Sequence, residues 1–213
     1  LTNNRLNLDL DPAKTPGDYI FDKCPKLNSA GPIGETTQDG SAADIQFAWT
    51  TEIPKYAFRR GYYSDASTGF MSSTKTSLNE VILPQGLTTI GAAAFGNGYF
   101  KTITLPETLL TIGELAFYGC SLQTIVIPKD VNSIGARTFA NCSFLTKAII
   151  KALSSNPTVD TALNAWFFDC PEELQLIIPA SVNTSRQNVF EAYGDCWHYR
   201  NAMGATFDWT SEE

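Results

Sequence analysis

The sequence predicts a solenoid: short parallel β-strands on one side of each coil, turns or short 3₁₀ pieces on the other, and little α-helix. Three observations carry this. First, Pro84, Pro106 and Pro128 are spaced by 22 residues, as are Gly91, Gly113 and Gly135, and Phe95, Phe117 and Phe139. A fixed short period means that each repeat adds one rung and packs on its neighbours. Second, each unit opens on two apolar residues two apart, Val81 and Leu83, Ile103 and Leu105, Ile125 and Ile127, which sends both side chains to one face of a strand. Third, a 22-residue rung leaves too little chain for a long helix per repeat.

Each position in the unit has a physical task. The proline after the strand lacks an N–H and ends the ladder. Leu87, Leu109 and Val131 turn inward next, followed by Ile90, Ile112 and Ile134. The glycine after each isoleucine suits a positive φ or a close backbone approach. Ala94-Phe95 and Ala116-Phe117 place a small and a large residue at the back of the coil, and Thr138 replaces the alanine in the third unit. Stacked at about 4.8 Å per rung, the phenylalanines form a buried column.

This wording resembles the BspA-like leucine-rich repeat family, whose consensus is close to L-x-x-I-x-L-P-x-x-L-x-x-I-G-x-x-A-F-x-x-C. The match is specific from Leu78 to Cys142 and has looser echoes outside it. Ile53-Pro54-Lys55-Tyr56-Ala57-Phe58 fits I-G-x-x-A-F with proline for glycine, and Gly17 to Cys24 fits G-x-x-A-F-x-x-C. Leu145, Ala148 and Ile150 continue the strand pattern, Phe167 and Cys170 restate F-x-x-C, and Leu176 to Val182 gives a last strand. The register phenylalanines are thus Phe21, Phe58, Phe95, Phe117, Phe139 and Phe167, at spacings of 37, 37, 22, 22 and 28. The uneven spacings read as insertions. The organisation is a leucine-rich-repeat solenoid over residues 1–182, with insertions near 25–50, 59–77 and 151–165, and a C-terminal cap over 183–213. Leu6, Leu8 and Leu10 alternate as a first strand, Asn28 to Ala43 reads as a loop, and a cap helix is expected around Arg186 to Tyr193.

Composition bounds the function. Apolar residues are 43% and charged residues 17%, which excludes a disordered chain. The net charge of −7 disfavours nucleic acid, which needs a basic footprint. No apolar run approaches the roughly 18 residues of a membrane span. Leu1 to Leu10 is polar and does not read as a signal sequence. Cys24, Cys120, Cys142 and Cys170 all stand three residues after a register phenylalanine, with Gly98 in that slot in one rung. They read as buried free thiols filling a small niche, not as a disulfide framework; Cys196 lies outside the register. No C-x-x-C exists, and His198 is the one histidine, so no metal or cofactor is expected. G-x-S-x-G, H-E-x-x-H and Walker motifs are absent, and no carboxylate pair across a cleft is evident, so no catalytic residue is assigned.

The expected function is a non-enzymatic recognition module, extracellular or at the cell surface. The family resemblance implies surface proteins of host-associated bacteria, some acting in adhesion to host matrix proteins or other cells. A structural spacer of a larger surface protein and an accessory glycan-binding protein are the alternatives. Two sets of residues are candidates for partner binding. One is the outward column Ile82, Thr104, Val126, Ile149 and Ile177, flanked by Glu80, Thr102, Thr124, Lys147 and Gln175. It reads either as plain β-propensity or as an exposed apolar stripe that meets a protein partner or a second copy. The other is the aromatic insertion carrying Tyr62, Tyr63 and Phe70. Oligomeric state is not set by the sequence.

Overall fold

In the computed structural model, the described residues are 80–151 without interruption, with 6–8, 29–32, 34, 36–41, 43, 45–47, 51–59, 63–64, 71–72, 166–171 and 174–177. Phe21, Cys24, Cys196, His198, the expected cap over 183–213 and the expected cap helix lie outside them. Among the described residues every strand but one pair is parallel, and no helix occurs.

The coil has a front and a back. Front strands are β1 (Leu6–Leu8), β2 (Ser29–Pro32), β3 (Ile45–Phe47), β7 (Glu80–Val81), β10 (Thr124–Ile127), β12 (Lys147–Ile150) and β13 (Gln175–Ile177). They bury alternate side chains: Ile125, Ile127, Ala148 and Ile150 are at most 1% exposed, as a period of two requires. A second parallel sheet, not expected from the sequence, lies at the back. It is built from the Thr-Ile steps β8 (Thr89–Ile90), β9 (Thr111–Ile112) and β11 (Ser133–Ile134), with β4 (Glu52–Ile53) at its edge. These two-residue strands are too short for a periodicity reading to find.

The phenylalanine column forms as expected. Rings of Phe58, Phe95, Phe117, Phe139 and Phe167 stack face to face, with centroids 5.4–5.5 Å apart and planes within 13°. Phe95, Phe117 and Phe139 are completely buried. The turns that carry them bond rung to rung: Phe95 N–H donates to Ala116 C=O, Phe117 N–H to Thr138 C=O, and Phe139 N–H to Trp166 C=O. Thr138, where other rungs have alanine, is buried but satisfied, because its hydroxyl donates to Gly135 C=O at 2.7 Å.

The glycine column answers the choice left open by the sequence. Gly91 and Gly113 do not have positive φ; an added Cβ on either would lie 2.5 Å from a backbone nitrogen of the preceding rung. Close approach is the reason for glycine here. Pro54 stands in the same slot of the β4 rung and is buried. Positive φ falls two residues later, on Tyr56 (59°), Ala93 (51°), Leu115 (57°) and Arg137 (53°).

Two insertions carry more order than a loop. Ser29–Pro32, expected within a loop, is β2, and residues 63–64 and 71–72 pair antiparallel as β5 (Tyr63–Ser64) and β6 (Met71–Ser72). The front strand order at this end is β1-β3-β2-β7, so β2 is interposed between two strands that follow it in the chain. Simple addition of one rung per repeat, expected along the whole chain, therefore fails here. Ala30 and Gly31 allow the insertion: Ala30 is completely buried, and a Cβ on Gly31 would stand 3.1 Å from that of Ile82.

Candidate binding face

The cysteine slot is chemically inert by construction. Cys120 donates its S–H to Phe95 C=O, Cys142 to Phe117 C=O and Cys170 to Phe139 C=O, at 3.1–3.2 Å. All three are free thiols. Each one fills the niche and also satisfies a carbonyl of the preceding rung, a role that size alone does not describe. Burial pushes the Cys142 thiol well up, with the nearby Cys120 and Cys170 adding to it. Burial likewise takes Cys170 up to about 12. Such thiols are poor nucleophiles. Gly98 stands in this slot in one rung because a Cβ there would collide with the Phe100 ring.

The same rung interrupts the front sheet. The alternation predicts a strand through Ile103 and Leu105, and both do turn inward, 8% and 6% exposed. Yet among the described residues no backbone hydrogen bond joins 102–105 to β7 or to β10. Phe100 occupies the site that Leu122 and Leu145 fill in the next rungs, and its ring meets Phe95 and Phe117 edge-on, at 6.0 and 6.4 Å. The rung with the bulkier wedge is the rung with the broken ladder. Alternate residues of a parallel strand bond to opposite sides. Since Ile82 N–H donates to Ala30 C=O in β2, the main-chain groups of Val81 face the break.

A groove of about 590 Å³ lies over this break. Val81, Leu83 and Ile103 line it, and because their side chains are at least nine-tenths buried, they offer it chiefly main chain. Its polar lining is Gln38, Gln85, Gln123, Thr102 and Thr104, with Tyr99 at one side and Glu80 and Lys101 as the charged members. Both oxygens of Glu80 accept from Gln38 N–H, at 3.1 and 3.2 Å. The sequence reading did not single out Tyr99, Gln85 or Gln123; a phenylalanine and a glycine out of pattern at 98–100 were the available signal.

The outward column divides across the break. Ile82, half-buried, and Thr104, exposed, line the groove. Val126 (37% exposed) and half-buried Ile149 sit side by side on the unbroken sheet β10-β12-β13. Ile177 pairs with Ile149, so its register is outward as expected, but its side chain is only 8% exposed. It is closed to solvent and drops out of the open stripe. Phe144, 60% exposed at the approach to β12, is the largest apolar side chain left open among the described residues. Tyr63 is in β5, whereas Tyr62 and Phe70 lie outside the described residues.

Among the described residues no group of His, Cys, Asp and Glu is placed to hold a metal, and no helix is long and apolar enough to cross a membrane. A leucine-rich repeat protein from Bacteroides ovatus is a solved structure similar to this chain, at 19% identity and a TM-score of 0.34. The likeness covers 71% of this chain and 47% of that one, so this chain spans under half of its length. No curated protein is similar enough in sequence to count as a relative. The profile of the BspA type leucine rich repeat region matches residues 67–195 with six copies, which is more than half of the chain. The protein belongs to the BspA-type leucine-rich repeat family.

Proposed function

We propose that this chain is a non-enzymatic recognition module of a secreted or surface-displayed bacterial protein, and that it binds a protein partner through the unbroken part of its front sheet. The observation that carries the reading is the pairing of exposed Val126 with half-buried Ile149 on the β10-β12 surface. A β-branched pair that reaches solvent on an otherwise regular sheet is a place for a partner to bury apolar area. Membership of a repeat family whose members serve as interaction scaffolds supports it. Adhesion to a host matrix protein or to another cell-surface protein is the specific role proposed.

The test is binding of the purified chain to a panel of immobilised matrix proteins, with the double variant Val126→Lys, Ile149→Lys beside it. The expected result is at least one partner, lost by about tenfold or more in the variant, while the variant melts with the parent. Undiminished binding by a folded variant would remove the front sheet as the site. No partner across the panel would favour a spacer.

A further inference from the structure

We propose that the break in the front ladder is a second binding site, separate from the protein-binding patch, and that it takes a neutral oligosaccharide. The groove's volume of about 590 Å³ falls within the range of small-ligand sites, about 300–1,000 Å³. Its chemistry is two-sided throughout. The amides of Gln38, Gln85 and Gln123 and the hydroxyls of Thr102 and Thr104 each donate and accept, as do the unpaired main-chain groups beneath them. A sugar hydroxyl also donates and accepts, so these groups can exchange water for sugar without leaving either side unsatisfied. Tyr99 adds a flat apolar ring, against which the C–H face of a sugar can lie.

Charge argues for neutrality. The groove holds one carboxylate, Glu80, and one ammonium, Lys101. The two formal charges cancel, so the lining offers no net charge to favour an ionic ligand over a neutral one. The carboxylate is already engaged by Gln38 N–H.

An extended peptide fits less well, although open main chain invites one. Behind the groove, β8 and β9 remain paired, and Phe95 and Phe117 stack at 5.4 Å. The rungs are therefore held near the spacing of adjacent strands, about 4.8 Å, with no width for an added strand beside 102–105. Nor are there apolar pockets for peptide side chains, since Val81, Leu83 and Ile103 spend theirs on the core.

The test uses the full chain and a broad glycan array, followed by calorimetry with neutral trisaccharides, a sulfated trisaccharide and a peptide array. Two variants alter the groove independently: the pair Tyr99→Ala, Gln85→Ala, and the single Thr104→Lys. Gln85 and Thr104 are exposed and Tyr99 is half-buried, so thermal melts should match the parent. The expected result is binding of a neutral sugar at millimolar affinity or tighter, weakened by about tenfold or more in each variant. That binding should persist in Val126→Lys, Ile149→Lys, while protein binding should persist in the groove variants. The two sites can thus fail separately. No neutral ligand on the array, binding only of the sulfated sugar, binding only of peptides, or sugar binding untouched by both groove variants would each overturn the proposal.

Discussion

Phe117→Ala is the most direct probe of what holds the coil together. The ring is completely buried, stacks on Phe95 at 5.4 Å and on Phe139 at 5.5 Å, and meets Phe100 edge-on. Truncating a buried phenylalanine costs about 3–5 kcal/mol. The upper part of that range applies, because the two stacked contacts are each worth about 0.5–1.5 kcal/mol beyond area. The void also cannot close: backbone bonds from Phe95 N–H to Ala116 C=O and from Phe117 N–H to Thr138 C=O fix the rungs above and below. At about 2–4 °C per kcal/mol for a domain of this size, the melting temperature should fall by roughly 10–20 °C. Circular-dichroism melts measure it, with Phe144→Ala as the control. Phe144 is 60% exposed, so its truncation should change stability by no more than about 0.5 kcal/mol. If the two variants melt alike, within a degree or two of the parent, the column does not support the fold and the register is wrong.

Gly113→Ala should cost at least about 2 kcal/mol, since the new methyl would press on backbone at 2.5 Å; chemical denaturation reads this, and a neutral result would show that the rungs can part. Leu115→Asn should stabilise by about 0.5–1 kcal/mol, because it relieves a left-handed backbone at φ 57° that leucine tolerates poorly; a loss of stability would mean that the leucine side chain contributes more than its strain costs. Native Cys120 and Cys142 should resist labelling by a thiol reagent until the chain unfolds, and rapid labelling would contradict their burial. Cys170 should make stability fall with alkali: its folded value is raised to about 12 against an ordinary 9.0, so its contribution is complete below pH 9 and is lost as pH climbs toward 12. Urea midpoints of Cys170→Ala and parent should converge over that window, and parallel curves would refute the assignment.

The parts of the fold legible in the sequence are those imposed by repetition. Phe95, Phe117 and Phe139 had to stack once three rungs shared a register, and Ile125 and Ile127 had to face inward once their spacing was two. The back sheet was illegible because each of its strands is two residues long, so alternation has no length over which to show. The interposed β2 was illegible because Ser-Ala-Gly-Pro carries turn residues; what makes it a strand is the narrow space beside Ile82, a tertiary fact. The proposed binding face was half legible. Val126 and Ile149 are placed by register alone, but Ile177 shares that register and is closed to solvent. The groove coincides with one departure from pattern, Phe100 for leucine with Gly98 for cysteine, and no local rule ties that departure to an unpaired strand.

The order β1-β3-β2-β7 dictates how this end of the molecule comes apart. A regular coil can be peeled from its terminus, each rung leaving in the order in which the ribosome made it. Here, among the described residues, the outermost strand is 6–8, the next is 45–47, and beneath that lies 29–32. Among the described strands, tension applied ahead of residue 6 would free 6–8, while 29–32 is clamped on both sides by segments later in the chain, 45–47 and 80–81. Tension along the chain therefore reaches β2 as shear against two neighbours, not as the unzipping of one. The arrangement works as a latch, and a force–extension trace should show its release as one event distinct from the sequential unravelling of the rungs behind it.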